Sequence, residues 1–82
     1  MATTTTATFS FTLILSGVTE LTVQMADALF EAGCDDATPS SRNGVVSVHF
    51  DRDAETLGDA VGSALKDVQR AGFAASRVDL GV

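Results

Sequence analysis

The stretch "ATPSSRNGVVSVHF", residues 37–50, carries the reading on which the fold turns. Pro39 has no N–H to give to a ladder, so it belongs on an edge strand or outside the sheet. Asn43 and Gly44 are the preferred pair for a two-residue type I′ turn, in which both central residues take positive φ. The run after them alternates, with Val46, Val48 and Phe50 inward and Val45, Ser47 and His49 outward. A short edge strand therefore folds back on a longer, central one.

Working outward, "TFSFTLILS" at 8–16 puts Phe9, Phe11, Leu13 and Leu15 on one side and Thr8, Ser10, Thr12 and Ile14 on the other, as in a strand with one buried face. Thr19 is the expected N-cap of a first helix, along which Leu21, Met25, Ala28, Leu29 and Ala32 recur at helical spacing until Gly33 stops it. Asp53 is the expected cap of a second helix with the stripe Leu57, Ala60, Val61, Ala64, Leu65 and Val68, stopped by Gly72. Lys66 and Arg70 near its end complement the helix dipole. "FAASRVDLGV" at 73–82 then gives a last strand, with Ala74, Ser76, Val78 and Leu80 on one face and Arg77 and Asp79 on the other. The order βαββαβ predicts an α+β fold of ferredoxin-like type, a four-stranded antiparallel sheet with both helices on one face and the other face open. Residues 7–82 form one domain, and 1–6 a flexible leader.

Eleven acids against five bases give a net charge of −6 over 82 residues, which disfavours direct binding to nucleic acid or an anionic membrane and favours a basic partner. The run Leu13–Leu15 is too short to span a bilayer. Cys34 is the lone cysteine, so no internal disulfide forms, and the uncharged N-terminus lacks the basic opening of a secretory signal; a cytoplasmic location is expected.

Most site chemistry is disfavoured by the residues themselves. A calcium loop opening at Asp51 would need Gly at its sixth position and Glu at its twelfth, where Thr56 and Gly62 stand. One Cys and one His, Cys34 and His49, do not make a zinc site, and carboxylates at Asp35 and Asp36 raise rather than lower a neighbouring thiol pKa. Cys34 is expected to cap or pack the end of the first helix. His49 with Ser47, Ser10, Thr12 and either Asp51 or Asp79 has the composition of a hydrolytic constellation, but an open sheet supplies neither cleft nor oxyanion donors. The outward positions lack the aromatic rings on which an RNA-binding sheet stacks bases. No enzyme, cofactor or metal is expected.

Charge geometry remains. Glu20, Gln24, Asp27 and Glu31 fall at intervals of four, three and four and predict a carboxylate row along the first helix, continued by Asp35 and Asp36. Asp51, Asp53, Glu55 and Asp59 form a second cluster. Two such rows on a small rigid domain imitate the phosphates of a duplex to a protein whose groove is built for DNA.

The segments "ADALFEAGCDDA" (26–37), "RNGVV" (42–46), "FDRDAETL" (50–57) and "DVQRAG" (67–72) together resemble the N-terminal domain of bacterial helix-turn-helix proteins of the antitoxin-like kind. In those proteins a DNA-reading helix-turn-helix follows the last strand. Here the sequence ends at Val82, so the resemblance implies dimerisation or partner contact rather than DNA reading. In size, charge and design the chain is also similar to the small anti-CRISPR proteins of phages and mobile elements. The expectation drawn from charge and this likeness is a non-catalytic DNA mimic, a monomer or weak dimer. It would block the DNA- or PAM-binding surface of a CRISPR effector complex or another basic DNA-binding protein through Glu20, Asp27, Glu31, Asp35, Asp36, Asp51, Asp53, Glu55 and Asp59. The alternative is a regulatory or dimerisation module that uses the open sheet face of Ser10, Thr12, Ser47, His49 and Arg77.

Overall fold

A computed structural model describes residues 6–80. The elements run β1 (Ala7–Ser16), α1 (Val23–Glu31), β2 (Ala37–Arg42), β3 (Val45–Ala54), α2 (Leu57–Arg70) and β4 (Ala74–Asp79). The sheet order is β2-β3-β1-β4 with every neighbouring pair antiparallel. β1 and β2 are thus parallel to each other with β3 between them, and β3 and β4 are parallel with β1 between them. This is the split βαβ arrangement of the ferredoxin-like fold. The expected leader, 1–6, lies outside the described residues except for Thr6.

The hairpin decides the register. Asn43 at φ 53° and Gly44 at φ 77° form the two-residue turn, and Arg42 then faces Val45. From that start Val46, Val48 and Phe50 fall on the helix-facing side, fully buried, while Leu13 meets Val48 and Phe11 meets Phe50 across β1. The Phe11 and Phe50 rings stack with centroids 5.4 Å apart and planes 12° from parallel. Leu29 from α1 and Ala60, Ala64 and Val68 from α2 close the core from above.

Both helices end in the same way. Gly33 (φ 114°) and Gly72 (φ 95°) take the left-handed position, and the N–H groups of Cys34 and Phe73 donate back to the carbonyls of Leu29 and Val68 at 3.0 and 3.1 Å. These are Schellman caps, in which the residue after the glycine also packs on the helix it closes.

Three local expectations are corrected. The N-cap of α1 is Thr22, not Thr19: its hydroxyl accepts from Met25 N at 3.2 Å. α1 is therefore short and leaves Glu20 outside the helix, so the helical part of the carboxylate row runs only from Gln24 to Glu31, roughly 10 Å at 1.5 Å per residue. Thr56, not Asp53, caps α2, accepting from Asp59 N at 3.1 Å, because β3 continues through Asp53 to Ala54. Simple alternation also fails in β4. The pairing slips between Ile14 and Leu15, so that Leu15 faces Ala75 rather than Ser76. Ala75 and Val78 then pack on the core, Ala74 and Ser76 are exposed, and the Ser76 hydroxyl donates to the Ile14 carbonyl at 3.1 Å.

Candidate functional site: an acidic end and an open sheet face

The topology brings together acids that are far apart in sequence. β2 starts opposite Phe50, so the turn from α1 into β2 emerges at the end of the sheet where β3 finishes and α2 begins. Asp51 N donates to the Asp36 carbonyl at 3.2 Å and joins the two clusters directly. Glu31, Asp35, Asp51, Asp53, Glu55 and Asp59 lie at this end, all exposed. Asp27 sits about a turn back along α1, and Glu20 lies toward the opposite end. Arg42 at the end of β2 and Arg77 opposite Ile14 lie toward the other end of the sheet, and Lys66 and Arg70 stand in the second half of α2. Along the open sheet face Asp51 and Asp53 thus stand at one end and Arg42 and Arg77 toward the other.

Asp36 is the exception among the expected contact residues, because it is engaged inside the molecule. Arg52 follows Val48 and Phe50 on the helix-facing side of β3 and is only 9 % exposed. Its Nε and Nη2 donate to the two Asp36 oxygens, both at 2.8 Å, in a bidentate pair. Nη1 donates to Asp67 at 2.9 Å and to Ser63 Oγ at 3.1 Å, and Nη2 also donates to the Gly33 carbonyl at 3.1 Å. All five guanidinium N–H groups are used, and the cation lies 5.0 Å from the centre of the Phe50 ring. The hydrogen bonds from Arg52 hold the Asp36 carboxyl below its ordinary pKa, while Asp36, the largest influence, raises that of Arg52. This cluster ties β3, the end of α1 and α2 together. Sequence alone offered one signal for it, a charged residue at the next alternate position after Phe50 on the buried face.

Cys34 packs under the same cluster, 4 % exposed, and burial followed by the nearby Asp67 carboxylate pushes its thiol up to about 11. It packs the end of α1, as expected.

On the open face the polar side chains form cross-strand pairs. Thr8 donates to Asp53, and Ser10 donates to Asp51 at 2.6 Å. His49 stands between Thr12 and Asp51, with Nδ1 3.0 Å from Thr12 Oγ1 and Nε2 3.3 Å from Asp51 Oδ1. The bond from Ser10, then the neighbouring imidazole, hold the Asp51 carboxyl below its ordinary pKa. The hydroxyl, imidazole and carboxylate of the imagined constellation are thus in contact. Their side chains are open to water, 47 % for His49 and 60 % for Asp51, and the pair is screened accordingly. Ser47 pairs instead with Ser40 at 3.1 Å.

A groove of about 280 Å³ runs between α1 and β2, lined by residues that include Leu29, Phe30, Cys34 and Pro39, with Asp27 at its rim. Phe30 is 64 % exposed beside it, a feature the helical stripe read from sequence does not contain. No group of three or more metal-ligating side chains occurs among the described residues, and no described helix is long and apolar enough to cross a membrane. No protein-family model, curated protein or solved structure matches the chain.

Proposed function

We propose that the protein is a non-catalytic inhibitor that binds the nucleic-acid-binding surface of a basic protein by presenting carboxylates in place of phosphates. The observation that carries this reading is the acidic end. There Glu31, Asp35, Glu55 and Asp59, with Asp51 and Asp53 beside them, are exposed and pair with no lysine or arginine among the described residues, since Arg52 is consumed internally. Each such carboxylate can take an Arg or Lys that would otherwise hold a phosphate. Likeness in size and charge to anti-CRISPR proteins narrows the target to the DNA- or PAM-reading surface of a CRISPR surveillance complex, met in the cytoplasm of a bacterial cell.

The test is charge reversal. Glu31→Lys, Asp35→Lys, Glu55→Lys and Asp59→Lys combined should abolish inhibition of DNA binding by such a complex while leaving the circular dichroism spectrum unchanged. Inhibition that survives in the folded variant refutes the reading.

A further inference from the structure

We propose that the groove between α1 and β2 is a docking site for a basic segment of a partner protein, which seats one large apolar side chain there between flanking lysines or arginines. Leu29, Cys34 and Val48 form the buried floor of the groove, with Phe30 of α1 and Pro39 of β2 at its sides. Its volume of about 280 Å³ lies just under the roughly 300 Å³ at which small-molecule sites begin, and so suits a side chain rather than a whole ligand. The apolar surface continues past the groove. Val23 and Phe30, 76 % and 64 % exposed, are the two most exposed large hydrophobic residues described, and they stand two turns apart on one side of α1. Single exposed apolar side chains are ordinary, but two aligned along one helix beside an apolar groove mark an interaction surface.

Charge selects the occupant. Asp27 lies at the rim, one turn before the exposed Glu31, and Asp35 is exposed just past Cys34. The sequence holds no lysine or arginine before Arg42, so α1 carries no base and β2 carries one only at its last residue. A second copy fits poorly. Two α1 helices packed through Val23 and Phe30, in either direction, bring their Asp27 carboxylates together with no base on either helix to compensate. A long strand added at the free edge of β2 is opposed as well, since Pro39 has no N–H to give.

What fits is a segment held by one apolar anchor in the groove and by Lys or Arg at the acidic rim, the same division of labour as between the core and rim of an interface. The apolar contact sets the affinity that survives salt, and the charged rim sets which segments are accepted. The inference goes beyond the inhibitory reading and needs neither DNA nor a surveillance complex. Phe30 and Asp27 are also not among the residues reversed in the inhibition test, so each reading can fail alone.

The experiment is an NMR titration of the full chain with three capped pentapeptides, Lys-Lys-Phe-Lys-Lys, Lys-Lys-Ala-Lys-Lys and Glu-Glu-Phe-Glu-Glu. The first should shift the signals of Ala26, Phe30 and Ala37, and the other two should bind at least about tenfold more weakly. Phe30→Ala should weaken the first peptide by a similar factor, and Asp27→Lys should weaken it while strengthening the Glu-flanked one. Both residues are exposed, so the fold is retained, which the rest of the spectrum checks. Raising the salt should weaken both Lys-flanked peptides and leave the preference for Phe over Ala intact. Three results overturn the proposal: no shift in the groove at the highest peptide concentration, equal binding of the Phe and Ala peptides, or groove signals that move with protein concentration alone, which would place a second copy there.

Discussion

At the scale of single residues, Arg52 matters most. It is the buried cation that holds Asp36, Asp67, Ser63 and the Gly33 carbonyl in one cluster. Removing one partner of such a group leaves the others facing each other without compensation. Arg52→Met should therefore destabilise the fold by about 3 kcal/mol, at the lower end of the range for buried pairs because Asp36 retains some access to water. Urea unfolding measures this.

The pH dependence follows from the direction of the Asp36 shift. Its carboxyl is depressed in the folded state, so the stability it contributes is full above the unfolded value of about pH 4 and is lost as pH falls through the folded one. The wild type should lose stability on acidification in that window, and Arg52→Met should lose less of it, which a set of urea curves from pH 6 downward would detect. Gly33 belongs to the same cluster. Its φ of 114° is hostile to a side chain, and a Cβ there would lie 3.0 Å from an Asp67 oxygen. Gly33→Ala should cost about 1–3 kcal/mol by the same measurement.

At the scale of elements, the hairpin and the two glycine stops were legible because each rests on local chemistry. Asn43-Gly44 and the glycines after α1 and α2 have few alternative uses, and period-two alternation from Val46 to Phe50 set which face was buried. The caps were less legible, since Thr19, Thr22, Asp53 and Thr56 all have cap chemistry and the choice depends on where tertiary pairing lets a strand end. β3 keeps its pairing with β1 to Ala54, and so Asp53 stays in the sheet. Thr56→Ala should then cost about 1 kcal/mol in thermal or urea unfolding, whereas Asp53→Ala should show no loss of the α2 cap. The bulge opposite Ile14 had no sequence signal, because Ala74, Ala75 and Ser76 are small enough to fit either face.

At the scale of the whole molecule, acids were visible as two sequence clusters, but their meeting at one end was not, since it depends on the crossing of α1 into β2 beside the end of β3. Pairing with Arg52 removes Asp36 from the surface row, and the start of α1 at Val23 leaves Glu20 apart from it. What the fold creates is a group of exposed carboxylates at one end of the sheet, with Arg42 and Arg77 toward the other. A partner that reads this end must be basic, and its contacts must weaken as salt screens them.

The most direct test is binding of the purified protein to a CRISPR surveillance complex in competition with its target DNA across a salt series. The account predicts binding that DNA and protein exclude mutually and that falls steeply as salt rises. Binding indifferent to salt, or a ternary complex in which DNA remains bound, would contradict it.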